Sequence, residues 1–323
     1  MTRASLEGSV AADPGPMIEA LEGDRGRRRR ERLIRALFFV AAALSVVVTA
    51  AIVVSLVGEA ASFLAKVELS SLWSEGWFPR RGLFDLRTIV VGTLMVAGVA
   101  VLVAGPLGLA TAMFLSELAT PRARRWLKPI VEVLAGIPSV VLGYFALSFI
   151  NPELVQRLFG GTSPFSMLGA GIAVGILVTP LVASVAEDAM HAVPRALREA
   201  SFGLGAKRNT TTVKVVFPAA TSGIVAALIL GLSRAIGETM IVAIASGSTG
   251  GSLFTFDIVG PGQTMTAAMT ALAVGSDRVA VGGGGAAVNP VDALFFVGLL
   301  LFVMTFVLNM LSERFVRRMR VRI

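Results

Sequence analysis

The sequence predicts an all-α integral membrane protein, a bundle of six transmembrane helices. The chain is 55% hydrophobic with a mean hydropathy of +0.79, which is well above the apolar share of an ordinary soluble domain. Its charged residues, 15% of the total, gather in clusters at the ends of apolar runs. Those runs are long enough to cross a hydrocarbon core of ~30 Å, which takes about 20 residues of helix.

Six apolar runs are predicted to span the membrane: about 33–57, 88–115, 129–150, 166–186, 222–247 and 292–311. Residues 1–32 are polar and end in arginines, which predicts a disordered basic cytosolic tail. The first run is too long for a signal-peptide core of about 7–15 residues. Residues 312–323 form a second basic cytosolic tail.

The third predicted span carries the helix breakers Gly136, Pro138 and Gly143. Such breakers are tolerated in a membrane helix only where neighbouring protein or a cavity satisfies the freed backbone groups. We therefore expect this span to face the interior of the bundle.

The connecting segments are less regular. The loop from Gly58 to Arg87 contains Trp73, Trp77 and Phe78, and such aromatic residues are typical of a membrane interface. Residues 262–281 are too polar for a lipid-exposed span, so we expect a short helix at the outer surface or a re-entrant segment.

The distribution of basic residues sets the topology. With the N-terminus inside, the predicted inner segments hold 22 Lys and Arg and the outer segments hold six, while Arg234 lies within a span. Because basic residues favour the cytoplasmic side, this bias predicts six spans with both termini cytoplasmic. The net charge of +8 is thus a topology signal, and we expect no nucleic-acid partner.

Several kinds of chemistry are excluded or unsupported. The chain has no cysteine and a single histidine, so thiol chemistry and a histidine metal cluster are excluded. No Walker A pattern occurs, and the glycine run 282–285 lacks the following lysine of a phosphate loop. We therefore expect no enzyme activity, no metal and no cofactor on this chain; if ATP drives the protein, a partner binds it.

The polar loop 187–218 carries the first informative motif. Pro194 can open a helix, good helix formers follow from Arg195 to Phe202, and glycines then stop the helix. Taken alone, the loop could be an ordinary basic cytoplasmic connection.

Within this loop, Glu199-Ala200-Ser201 is followed after three residues by Gly205 and after nine more by a segment that ends in Pro218. That spacing resembles the EAA loop of ABC importer permeases, the coupling loop that docks on the ATPase subunit. The resemblance implies that Glu199, Ala200, Ser201, Gly205 and Pro218 couple this chain to an ATPase.

The fifth span contains two charged residues, Arg234 and Glu238, near the middle and in the outer half of the membrane. An arginine at the membrane centre costs about 2.5–3.5 kcal/mol on insertion scales, so it should face the bundle interior or a wet cavity. Four residues apart, the two share a helix face and can pair. The pair either locks the bundle structurally or binds a tetrahedral oxyanion, with Glu238 holding Arg234 or accepting a proton.

The segment GLSRAIGETMIVAIASG, which contains this pair, resembles the fifth helix of phosphate ABC permeases, and AGIPSVV at 135–141 resembles their A-x-I-P-S-I-V turn. The segment SLWSEGW at 71–77 points to the PstC-type subunit. The resemblance implies a type I ABC importer permease whose substrate-binding residues are Arg234, Glu238, Ser233, Thr239 and Ser139.

The same resemblance implies the protein's partners. We expect a heterodimer with a PstA-like permease, a PstB-like ATPase dimer at the coupling loop, and an extracytoplasmic phosphate-binding protein. The assembly would lie among the lipids of the inner (cytoplasmic) membrane as a multi-pass protein.

Two other functions stay open at this point. One is an ABC permease for another oxyanion, such as sulfate or molybdate. The other is an ion-coupled secondary transporter or channel with Arg234 and Glu238 as gate or proton relay, although it leaves the EAA spacing unexplained.

Overall fold

The structure, a computed structural model, describes residues 25–161, 163–247, 250–275 and 290–320. Its α-helices are α1 (Arg25–Lys66), α2 (Leu86–Met113), α3 (Pro121–Leu134), α4 (Ser139–Phe145), α5 (Gln156–Phe159), α6 (Met167–His191), α7 (Arg195–Gly203), α8 (Arg208–Thr211), α9 (Phe217–Ala219), α10 (Thr221–Ile236), α11 (Met240–Ala245), α12 (Met265–Val274) and α13 (Pro290–Arg320). The π-helical segments Phe114–Leu118, Ala146–Val155 and Thr212–Val216 continue α2, α4 and α8. Short 3₁₀ turns cover Leu69–Trp73 and Pro79–Arg81, and the strands are β1 (Gly76–Phe78), β2 (Leu83–Phe84) and β3 (Ser252–Leu253).

The prediction of a helical membrane protein is confirmed. Four helices in the described residues are long and apolar enough to cross a membrane: Arg30–Lys66, Leu86–Leu118, Met167–His191 and Pro290–Arg314. Two further helix pairs pass the same test but are sharply bent, so that the described residues hold four spans, or up to six when each bent pair is one span.

Helix α1 is longer than the predicted first span. It begins at Arg25, inside the stretch that the sequence predicted as a disordered tail, and ends at Lys66. Arginine, glutamate and alanine are good helix formers, so the helix continues past both ends of its apolar run. The chain divides into two units, Met1–Ser55 and Leu56–Ile323, and α1 contributes to both. Residues 1–24 lie outside the described part.

The prediction of one continuous third span is wrong. Helix α3 ends at Leu134, and the chain turns by 82° before the helical stretch Ser139–Phe159. Pro138 causes the break because it lacks a backbone N–H and disfavours helical geometry at the preceding Ile137. No residue of α3, the first half, is buried within this chain.

The second half of the predicted third span, which contains α4, packs inside the second unit. A Cβ atom added at Gly143 would lie 3.1 Å from the Cα atom of Ile241, so α4 and α11 are in close contact. Gly143, which the sequence marked as a helix breaker, therefore allows two helices to pack closely.

Helices α2 and α6 pack closely because glycines line their interface. A Cβ atom added at Gly175 would lie 2.7 Å from Cβ of Val103 and 2.9 Å from the carbonyl oxygen of Ala100. One added at Gly108 would lie 2.8 Å from Cγ1 of Val182. Small residues let membrane helices approach until their backbones nearly touch, so α2 and α6 form a tightly joined pair.

The second unit also contains a small antiparallel sheet, in the order β2-β1-β3. Trp77 of β1 pairs with Phe84 of β2 and with Ser252 of β3. Its side chain is fully buried beside Phe63 and Phe84, so it packs within the protein. Trp73, on the preceding turn, is 65% exposed.

Helix α12 lies in the stretch expected at the outer surface or as a re-entrant segment. Gln263 and Met265 are at most 1% exposed, so the start of this stretch packs against other parts of the second unit. The hydroxyl of Thr93 on α2 accepts a hydrogen bond from the backbone N–H of Met265 (2.9 Å), which ties the start of α12 to α2. Residues 276–281 and the glycine run 282–285 lie outside the described part.

Candidate functional site: the coupling loop and the Arg234–Glu238 pair

The loop 187–218 contains the short helix α7 where the sequence predicted one. Pro194 precedes its first turn, and Gly205 follows it with a φ of +78°. The backbone N–H of Gly205 donates to the carbonyl of Phe202 (2.9 Å). A left-handed residue after a helix is most easily a glycine, because a side chain there meets the backbone. The helix is thus a separate unit between two turns.

One face of this loop is open. Glu199, Ala200 and Pro218 are exposed, and Leu204 is 90% exposed. Ser201 points inward instead, with its hydroxyl 2.8 Å from that of Thr211. Glu199 and Leu204 are therefore accessible to a partner protein on this face.

The sequence analysis missed Arg198, which holds α7 in place. Its Nη2 atom donates to Oε1 of Glu117 (2.7 Å) and to the carbonyl of Met190 (2.8 Å). Its Nη1 atom donates to the carbonyl of Val193 (2.6 Å). The sequence does show Glu117 at the end of an apolar run, but its partner Arg198 is 81 positions away, so the sequence does not indicate the contact.

A second group of ion pairs joins α3 to α6. Glu187 is fully buried and contacts Arg124 and Lys128, the latter with its Nζ atom 2.8 Å from Oε2. Lys128 also contacts Asp188 at 3.2 Å. These contacts fasten the otherwise exposed helix α3 to the end of α6.

The structure corrects the setting of Arg234 and Glu238. Helix α10 ends at Ile236 with Gly237 as its cap, so the two residues do not share a continuous helix. They still come together, with Nη1 of Arg234 3.8 Å from Oε2 of Glu238. The Glu238 side chain is 4% exposed and that of Arg234 is 54% exposed, so the arginine is not inside this chain.

A distance of 3.8 Å is too long for a hydrogen bond. Within the described part of the chain, the guanidinium of Arg234 donates no hydrogen bond. A guanidinium carries five N–H donors, so it is free to bind an oxyanion.

The remaining predicted substrate residues are only partly brought together with this pair. Ser233 donates from its hydroxyl to Oδ1 of Asn309 on α13 (2.9 Å). Thr239 donates to the carbonyl of Gly237 (3.3 Å). Ser139 lies in the first turn of α4, and no hydrogen bond among the described residues joins it to Arg234 or Glu238.

Two polar neighbours of Glu238 were not predicted as site residues. Thr266 donates from its hydroxyl to the backbone carbonyl of Glu238 (2.7 Å). Gln263, three positions earlier, is buried, and both of its amide atoms lack a partner among the described residues. The sequence showed only that this stretch was too polar for a span.

Apolar helices, an exposed loop at 187–218 and a charged pair beside a helix break are the features of a membrane permease subunit. The chain belongs to the family of binding-protein-dependent transport system inner membrane components, whose model matches residues 104–321. The family expected from the sequence is thereby confirmed, and so is the prediction of a transport subunit.

Two relatives extend this likeness. The phosphate transport system permease protein PstC of Mesorhizobium japonicum is 30% identical over 330 aligned positions, which cover 94% of this chain and 98% of that one. The probable ABC transporter permease protein YqgH of Bacillus subtilis is 37% identical over 166 residues, which cover 51% of this chain and 53% of that one.

A solved structure confirms the fold. A chain of a bacterial ABC transporter involved in the import of alginate superposes with a TM-score of 0.57 at 15% identity. The match covers 90% of this chain and 99% of that chain, so nearly the whole described chain follows the ABC permease fold.

Proposed function

We propose that this chain is the permease subunit of an ATP-driven importer of inorganic phosphate. The observation that carries the proposal is the half-exposed guanidinium of Arg234, which lies beside the buried carboxylate of Glu238 and donates no hydrogen bond within the described part of the chain. A relative named as a phosphate transport permease, matched along nearly the whole of both chains, supports phosphate as the substrate.

The chemistry of the pair suits a phosphate ion. The planar guanidinium fork matches two oxygens of a tetrahedral oxyanion, and it stays charged at any physiological pH. Glu238 holds the arginine near its position without occupying its donors, and it can accept a proton from a protonated phosphate. Ser233, Thr239 and Ser139 then contribute hydroxyl groups along the path.

The exposure of Arg234 supports a path between two subunits. A half-exposed arginine in a membrane bundle needs a polar or wet surface opposite it. A PstA-like permease in a heterodimer would supply that surface, and an extracytoplasmic phosphate-binding protein would deliver the ion. The full proposal is a type I permease with six spans in the inner membrane, both termini being cytoplasmic.

Coupling to ATP would occur through the loop 187–218. A PstB-like ATPase dimer would dock on the open face that carries Glu199 and Leu204, bind the ATP, and move α7 when it closes. No cofactor is needed on this chain. The spans would then open the Arg234 site outward, as alternating access requires.

The test is uptake of phosphate by the reconstituted complex in vesicles. We expect uptake that requires ATP and the ATPase and that a large excess of sulfate or molybdate does not reduce. Competition by either ion would assign the chain to another oxyanion. Uptake without the ATPase would favour a secondary transporter.

A further inference from the structure

The end of the bundle next to the coupling loop contains a junction at Arg198 that the coupling motif does not include. This junction consists of Arg198, Glu117 and the backbone carbonyls of Met190 and Val193. We propose that it is the link that passes movement of the coupling helix α7 to the membrane helices α2 and α6. This inference rests on the proposed function, in which α7 is moved by an ATPase.

The geometry of the junction is that of a rigid connection. The Nε atom of Arg198 lies 3.3 Å from both carboxylate oxygens of Glu117, and Nη2 lies 2.7 Å from one of them. The side chains are 16% and 9% exposed. A charge pair that is largely buried and held by several hydrogen bonds separates only at a high cost, because each charge would be left unpaired.

The junction joins three elements rather than two. Glu117 belongs to the π-helical segment Phe114–Leu118 at the end of α2. Met190 lies in the last turn of α6, and its carbonyl also accepts a hydrogen bond from the backbone N–H of Val193 (3.2 Å), just after the helix. Arg198 donates to the carbonyls of both residues, and its positive charge suits the negative end of the helix dipole.

The two helices held by Arg198 are the pair that the glycine contacts at Gly108 and Gly175 join along their length. A displacement of α7 must therefore move α2 and α6 together, or else break the junction. The π-helical segment is consistent with this role, since such segments are frequent at functional sites. Arg198 and Glu117 act as positioning residues, which contact neither the substrate nor the nucleotide.

The first test measures phosphate uptake per ATP hydrolysed in the reconstituted complex. Arg198→Lys keeps the charge but loses the fork, and Glu117→Gln keeps the shape but loses the charge. We expect both variants to retain the ATPase and to hydrolyse ATP, while uptake per ATP falls about tenfold, within the range of coupling mutations. Arg122→Gln removes an exposed arginine of α3 and should leave the ratio unchanged.

Two outcomes would overturn the inference. One is a normal ratio of uptake to hydrolysis in both variants. The other is loss of bound ATPase together with a proportional loss of hydrolysis and uptake, which would make the junction a structural support for the loop. Absence of ATP-driven phosphate uptake in the unmodified complex would contradict the proposed function instead.

A second test does not depend on the substrate. The chain has no cysteine, so one cysteine can be introduced at each of the exposed positions Leu118 and Ala196. Both cysteines of the double variant then carry a spin label. We expect the distance between the labels to stay constant between the nucleotide-free and ATP-trapped states. In the Arg198→Lys background we expect the distance to change on trapping. A change without that substitution would show that α7 moves independently of α2.

Discussion

Arg234 shows how a helix break changes the meaning of a charged pair. On a continuous helix, Arg234 and Glu238 would form an ordinary pair at four-residue spacing, with the arginine committed to the glutamate. Because α10 ends at Ile236, the two groups stay 3.8 Å apart, and the guanidinium keeps its donors. The break therefore favours ligand binding over a structural lock.

Substitutions at this pair separate the two interpretations. Arg234→Lys keeps the charge but loses the planar fork, so phosphate uptake should fall at least about tenfold while the membrane abundance stays normal. Arg234→Ala should be worse, because it leaves the buried Glu238 without its partner. The measurements are uptake and membrane abundance of each variant.

The double variant Arg234→Ala with Glu238→Ala distinguishes a structural ion pair from a substrate-binding pair. A structural pair can be replaced by two apolar residues at little cost, so near-normal uptake in the double variant would contradict a substrate role. The matched control is the exposed pair of Arg157 and Glu153, whose side chains are 71% and 42% exposed. Arg157→Ala should leave uptake unchanged, since surface pairs contribute about 0–1 kcal/mol.

At the scale of single residues, the sequence identified charged side chains of functional interest but not the residues that they contact. Arg234 and Glu238 stand out in the sequence because charges inside an apolar run are rare. Arg198 does not stand out, because an arginine in a basic loop is common and Glu117 is distant in the sequence. Gln263 was noted only as polar, since its burial depends on how α12 packs against α2.

Glycines decide the packing of the elements. At Gly175 an added methyl group would overlap Val103 and approach a backbone carbonyl that cannot move away. Gly175→Ala should therefore lower the thermal stability of the purified protein, since overpacking costs about 1–3 kcal/mol. Gly98, on α2, has no atom within 4 Å of the added position. Gly98→Ala should leave the melting temperature unchanged or raise it, and equal losses at both positions would contradict the close α2–α6 packing.

The end of the coupling helix offers a second pair of glycines. Gly205 has a φ of +78°, whereas Gly203 lies within α7, and neither has an atom within 4 Å of an added Cβ. Gly205→Ala should strain the turn by about 1–2 kcal/mol and reduce binding of the ATPase and uptake together. Gly203→Ala should have little effect on either. Normal ATPase binding in Gly205→Ala would show that binding of the ATPase does not require this turn.

The positions of the elements were predicted better than their continuity. Apolar runs located the long helices, because the length of a run reports the thickness of the membrane. The bend after α3 and the break after Ile236 were not predicted, although Pro138 and Gly237 were visible. A proline or glycine shows that a helix can break there, and only the packing around it determines the angle.

At the scale of the whole molecule, cysteine labelling reports the topology. Single cysteines at the exposed positions Ser70 and Asn209 should react differently with an impermeant reagent in intact cells. The positive-inside bias places Ser70 outside and Asn209 inside, so only the first should be labelled. The native chain has no cysteine and adds no background. Labelling of position 209 from outside would contradict the six-span topology.

The small sheet places a condition on how the protein is made. Strand β1 pairs on one side with β2, a few residues away, and on the other side with Ser252, 175 positions after Trp77. Ribosomes add about 5–20 residues per second, so this edge of β1 waits roughly 9–35 seconds for its partner during synthesis. The β1–β3 pairing is therefore the last contact of the sheet to form, and it can form only after the segment bearing Arg234 has left the ribosome. Pairing of this edge marks a nascent chain that has passed that point.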